Sequence, residues 1–277
     1  MKPRPILRYH GGKWILAPWI ISHMPAHRVY VEPFGGGASV LLRKGRSYGE
    51  IYNELDGEVV NLFRVVREHG DVLRQKLLDT PFAREEFELS YEPSDDQMEQ
   101  ARRTVIRSFM GFGSAGASGA KTGFRANSNR SGTTPAHDWA NFPEALKGVT
   151  DRLRAVVIEC GDAAKVMLAH DGDDTLHYVD PPYVLDTRSN VTVDSGKAYR
   201  FEMTDADHEV LATTLLELHG MVMLSGYSCD LYDRLYGSWN RIEREALADG
   251  AKKRTEVIWF NDAAWAAKMN AQTTLTF

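Results

Sequence analysis

Asp180-Pro181-Pro182-Tyr183 carries the most specific chemistry in the sequence, and it follows directly on the apolar run at residues 176–179. Two successive prolines remove two amide donors and stiffen the turn. The Asp180 carboxylate and the Pro181 carbonyl then stand together as acceptors for one amino group. When both amino protons are held, the nitrogen can rehybridise and its lone pair is freed to attack an electrophilic methyl in line. Tyr183 offers a flat face on which a base turned out of a duplex can stack. The alternative reading is a proline-stiffened loop with a capping Asp.

Three weaker signals point to a ligand beside that loop. Glu32-Pro33-Phe34-Gly35-Gly36-Gly37 places side-chain-free residues after a strand, where backbone N–H groups can approach a ligand closely, although glycines also serve turn geometry alone. Glu54 ends the next strand about twenty residues on, the spacing at which an acid accepts the hydroxyls of a ribose. Arg8-Tyr9-His10-Gly11-Gly12-Lys13 pairs a tight glycine turn with an aromatic ring able to face a sulfonium cation. No Gly-Lys-Ser/Thr phosphate loop and no full dinucleotide fingerprint follows the first strand, so ATP and NAD fit poorly.

These residues need a scaffold that gathers strand ends. Residues 28–32 form a β-branched and aromatic run, followed by the glycine turn and by residues 38–42, which read as helix. A second unit has a strand at 49–52 and a helix lined by Val59, Val60, Leu62, Phe63 and Val66. Further strand signals lie at 155–159, 176–180 and 221–225, with closing strands expected at 254–260 and 273–277. Ser94 with Gln97, and Thr204 with Asp207, read as helix-opening capping boxes. The fold expected is α/β: a Rossmann-like, mostly parallel sheet with helices on both faces. Residues 1–70 and 150–277 form the main domain, and 71–149 form an inserted, mainly helical lobe.

A chain of 277 residues with 43% hydrophobic residues supports one such core plus a lobe. It has no apolar run long enough for a bilayer and no signal-peptide pattern at residues 1–13, so a cytoplasmic protein with no membrane partner is expected. Its two cysteines, Cys160 and Cys229, lack metal-ligand spacing, and no metal is expected. A net charge of -5 excludes a surface that is basic throughout. Residues 101–137 nevertheless hold Arg102, Arg103, Arg107, Lys121, Arg125 and Arg130 without one Asp or Glu, and this stretch is the candidate DNA contact, the alternative being a solvated helix face and loop.

With these motifs in place, the chain resembles the Dam-like DNA adenine methyltransferases. Members carry an aromatic-x-Gly-Gly-Lys element, an acidic-Pro-Phe-x-Gly-x-Gly turn, a ribose acid, a recognition insert and Asp-Pro-Pro-Tyr in this order. Asn141-Phe142-Pro143-Glu144, Gly161-Asp162 and Leu224-Ser225-Gly226-Tyr227 extend the likeness over nearly the whole chain. Tyr9 stands where members usually have Trp and Glu54 where they have Asp, and both keep the chemistry of the position. The resemblance implies S-adenosylmethionine-dependent methylation of the N6 amino group of a flipped-out adenine, at specific sites in double-stranded DNA. It assigns Tyr9, Lys13, Glu32, Phe34, Gly35, Glu54 and Asp162 to the cofactor, together with Asp180, and Asp180, Pro181 and Tyr183 to catalysis. A monomer or weak dimer is expected. Rival readings are the amino group of cytosine, where Ser commonly replaces the Asp, an RNA or protein-glutamine acceptor, where Asn usually does, and a DNA-binding protein without turnover.

Overall fold

The computed structural model describes residues 4–127, 132–187, 199–247 and 253–274. Seven strands form one sheet in the order β3-β2-β1-β4-β5-β7-β6. β1 (Val29–Glu32), β2 (Gly49–Asn53), β3 (Val156–Glu159), β4 (Thr175–Val179) and β5 (Met221–Gly226) are parallel. β7 (Lys253–Phe260) runs antiparallel to β5, and β6 (Asn240–Leu247) antiparallel to β7. The chain winds outward from β1 through β2 to β3 and then returns to β4 on the other side of β1. That reversal opens a crevice at the carboxyl ends of β1 and β4, where open α/β sheets bind ligands.

Period-two alternation divides the side chains between two apolar layers. Tyr178, Met221, Met223, Ile258 and Phe260 face the layer that holds α2 (Gly57–Asp79) and α10 (Asp262–Thr274). Val179, Val222, Leu224, Val257 and Trp259 face the layer that holds α8 (Asp205–Glu217) and α9 (Asp230–Tyr236). α4 (Gln97–Met110), α5 (Pro135–Asn141) and α6 (Leu146–Leu153) send Val105, Ile106, Trp139 and Leu146 into the first layer, joined by Phe142 just past the end of α5. The helices between β2 and β3 therefore share a core with the sheet. Among the described residues no helix is long and apolar enough to cross a membrane.

Several local expectations change. Residues 38–42 form turns and no helix, because Ala38 sits at φ 51° and the Leu41 N–H, needed for a helical bond to Gly37, goes to the Glu32 carboxylate at 3.0 Å. The cap of α4 is Asp96, whose Oδ1 accepts from Met98 N at 2.9 Å, while Ser94 Oγ accepts from Asp96 N one step earlier. Thr204 and Asp207 do form the capping box that opens α8. The closing pair is β6 with β7. Residues 262–274 are helical, with Asn261 Oδ1 accepting from Ala264 N at 3.0 Å to start α10, and 275–277 lie outside the described residues.

Candidate active site

A cleft of about 480 Å³ opens at the crevice, within the range of about 300–1,000 Å³ usual for small-molecule sites. Its walls bring together Tyr9, Lys13, Glu32, Phe34, Gly35, Glu54, Asp162 and Asp180 from the amino-terminal segment and four strand ends. The glycine turn is built by close approach. Gly35 N donates to Asn53 O at 2.8 Å, and a Cβ on Gly35 would stand 2.1 Å from the Tyr52 ring. Gly36, at φ 48°, lies against the ring of Tyr9, where a Cβ would stand 2.7 Å from a ring carbon.

Glu54 sits just past β2 with Oε2 accepting from Gly36 N at 2.8 Å and Oε1 from Asp56 N at 3.0 Å. Its carboxyl is held above the usual range by burial, opposed by those backbone donors. Asn53, missed at the level of sequence, ties three strand ends: its amide donates to Pro33 O at 2.9 Å and Gly161 O at 3.0 Å and accepts from Gly161 N at 2.9 Å. Asp162 caps α7 (Ala163–Ala169) through Lys165 N at 3.0 Å.

Glu32 lies deeper than the rest of the set, 3% exposed, with Oε2 accepting from Tyr30 Oη at 2.7 Å and Leu41 N at 3.0 Å. It therefore shapes the turn from beneath. Burial pushes its carboxyl up to about 8, so the folded protein holds a proton that the unfolded chain releases above its ordinary value of 4.5. Stability should accordingly decline as pH rises from about 5 towards 8. Glu32→Gln, neutral and of the same shape, is expected to flatten that stretch of a melting-temperature profile. A profile parallel to the parent would show that Glu32 is charged in the fold.

At the carboxyl end of β4, Asp180 projects into the cleft while Pro181 is buried behind it and Pro182 lines the wall. Lys13 Nζ stands 2.9 Å from Asp180 Oδ1, donates to Gly11 O at 2.9 Å, and lies 4.5 Å from the centroid of the Tyr183 ring. The ammonium of Lys13 is thus aimed at the Asp-Pro-Pro-Tyr loop, a position that spacing had not distinguished from the cofactor turn. Burial raises the Asp180 carboxyl and Lys13 opposes the rise. Tyr183 is 9% exposed, edge-on to Tyr227 at 4.7 Å, and donates to Glu256 Oε2 at 2.8 Å. Tyr199 and Arg200 close the cleft from the far side. Arg200 pairs with Asp56 at 3.1 Å and Glu58 at 2.8 Å, and His10 packs edge-on against Tyr199 at 5.2 Å.

The expected DNA-binding residues divide. Arg102 is held by Glu99 at 2.8 Å and Glu86 at 2.7 Å, and Arg103 by Glu99 at 2.8 Å and the Glu92 carbonyl at 2.8 Å. Arg107, 3% exposed, donates to Ser90 O at 3.0 Å and pairs with Glu58. These three arginines of α4 pair with acids that lie just upstream or across the helix pair, outside the acid-free window. Lys121 is exposed, and Arg125 is half-buried with Nη1 donating to Phe109 O at 3.0 Å. Arg130 lies outside the described residues.

Comparison with known proteins matches this arrangement to one family. The family model described as D12 class N6 adenine-specific DNA methyltransferase matches residues 9–249. The DNA adenine methylase of Escherichia coli (strain K12) is 26% identical over 265 residues, covering 91% of this chain and 92% of that protein. That of Vibrio cholerae serotype O1 is 24% identical over 245 residues, 85% of each chain. A 70-residue stretch, 25% of this chain and 26% of its relative, is 33% identical to the DNA adenine methylase of Serratia marcescens. The match spans well over half of the sequence, and the chain belongs to the D12 class N6 adenine-specific DNA methyltransferase family.

Proposed function

We propose that Tyr9, Phe34, Gly35, Glu54 and Asp162 hold S-adenosylmethionine in the cleft, with Glu32 and Lys13 shaping its two ends, and that Asp180, Pro181 and Tyr183 hold the target adenine of double-stranded DNA. The observation that carries this reading is the placement of Glu54 and Asp180 in one cleft, on strands that flank β1. The cleft fits a cationic nucleoside: Glu54, Asp56, Asp162, Asp180, Glu202 and Asp207 line it against Lys13 and Arg200, and the ring of Tyr9 lies on the glycine turn. Bound there, S-adenosylmethionine supplies an electrophilic methyl group on a sulfonium centre.

The residues of the chain do the rest. Asp180 and the Pro181 carbonyl accept the two amino protons, which localises the lone pair on N6 and directs it along the cleft. Tyr183 supports the base by stacking. A general base is not required, since the amino proton becomes acidic once the nitrogen is methylated and can leave to solvent. Residues 71–149 serve as the recognition insert, with Lys121 and Arg125 presenting positive charge, in a protein that acts as a monomer or weak dimer. The test is calorimetry without DNA. Glu54→Ala should weaken S-adenosylmethionine binding by about 1–3 kcal/mol, the loss expected when hydrogen-bonded polar partners are stranded. Unchanged affinity would remove Glu54 from the cofactor site.

A further inference from the structure

The β7 strand carries a carboxylate into the catalytic centre that the mechanism above does not use. Val257 is the β7 residue paired with Gly226, the last residue of β5, so Glu256 lies one step beyond the end of the parallel strands, level with the Asp-Pro-Pro-Tyr loop. Alternation sends Val257 and Trp259 into the α8/α9 layer and turns Glu256 to the opposite face. There it is 7% exposed, with Oε2 accepting the Tyr183 hydroxyl at 2.8 Å. Tyr227, the first residue after β5, packs its ring edge-on to Tyr183, 4.7 Å between centroids. Arg254, two residues before Glu256, lies over the Tyr227 ring at 5.9 Å.

A buried carboxylate beside Asp180 is an unfavourable choice if the position only fills space, since burial and a neighbouring like charge both oppose it. What it provides is a fixed acceptor. The Tyr183 hydroxyl also interacts with Asp180, and the Glu256 acceptor fixes that end of the ring and with it the ring's tilt. We propose that Glu256 is a positioning residue for methyl transfer, holding Tyr183 by its hydroxyl so that the Tyr183 ring stays at the angle at which the target adenine stacks. This rests on the reading that Tyr183 supports the base.

The test uses the full-length chain with duplex DNA from a methylation-deficient host, comparing Glu256→Ala, Glu256→Gln, Tyr183→Phe, Tyr183→Ala and the Tyr183→Phe/Glu256→Ala double variant. Loss of ring alignment should lower kcat by about ten- to a hundredfold in Glu256→Ala, with the KM for DNA changed by less than about threefold. Glu256→Gln keeps an acceptor for the hydroxyl and should retain at least about a third of the parental kcat. Once Tyr183 lacks its hydroxyl, Glu256→Ala should add no further loss, the signature of two groups acting as one. Losses that multiply in the double variant, or a Glu256→Gln as impaired as Glu256→Ala, would overturn the proposal. If Glu256→Ala melts below assay temperature, Glu256→Gln decides alone: a tenfold loss in kcat with a parental melting temperature overturns it. Failure of the underlying reading looks different, since Tyr183→Ala would then keep its kcat.

Discussion

Asp180→Ala is expected to lower kcat by about 10²- to 10³-fold, the loss seen when one preorganised electrostatic partner is removed from a reacting centre. The reason lies in when the interaction matters. An acceptor that strengthens as the amino nitrogen rehybridises stabilises the transition state more than the bound adenine, so its removal falls on kcat. The change also removes the counter-charge of buried Lys13, which keeps only the Gly11 carbonyl at 2.9 Å, so a lowered melting temperature is expected beside the kinetic loss and kcat is compared below that temperature. Cofactor binding should persist, since Glu54 and the glycine turn hang on β1 and β2, not on β4. A single-turnover assay with calorimetry on the same preparation makes the comparison, and parental kcat in the variant would remove Asp180 from catalysis.

The same residue sets a pH dependence. Burial raises the Asp180 carboxyl and the Lys13 ammonium opposes the rise. The ionised form is the acceptor, so activity is present above its value in the folded protein and is lost as pH falls through it. Replacing Lys13 with Gln removes the opposing charge, and the acid limb of the kcat profile should move to higher pH. An acid limb that stays in place would separate Lys13 from Asp180 electrostatically, against the 2.9 Å between them.

The parts of this site that were legible from the sequence are those in which backbone chemistry is written into residue type. Two prolines after an Asp, or three glycines after a strand, dictate local geometry whatever surrounds them, and Asp180 and Gly35 stand where that geometry requires. Glu54 was legible because its distance from the turn follows from one strand-to-strand excursion. Glu256 and Asn53 were not, since each acts across more than fifty or a hundred residues of sequence, on Tyr183 and on Gly161 respectively. β6 was missed for a related reason: Arg241, Glu243, Arg244 and Glu245 give the outermost strand of the sheet a charged pattern without the apolar alternation of an inner one. Helix 38–42 failed because one buried carboxylate took the amide it needed.

Arg107→Ala is expected to destabilise the protein by about 1–3 kcal/mol, the cost of stranding a buried hydrogen-bonding group, with Arg200 still in place to pair with Glu58. Its guanidinium reaches from α4 to the Ser90 carbonyl and to Glu58 on α2, and Glu58 in turn pairs with Arg200 beside the cleft. Burial alone would raise the Glu58 carboxyl, and Arg107 and Arg200 together hold it below the ordinary carboxylate range. With Arg107 gone the Ser90 carbonyl is left without this donor and Glu58 keeps one partner on the solvent side. Lys should not rescue the variant, because a single ammonium cannot span both acceptors as the planar fork does. Against a total of about 5–15 kcal/mol for a folded domain, such a loss shows as a marked fall in melting temperature. Lys121→Ala and Arg125→Ala should behave in the opposite way, melting near the parent while the salt dependence of DNA binding flattens by about 0.9 in log-log slope for each phosphate no longer neutralised. A parental melting temperature with a flattened slope in Arg107→Ala would return this arginine to the DNA interface and contradict the ion pair that ties the insert to the helix following β2.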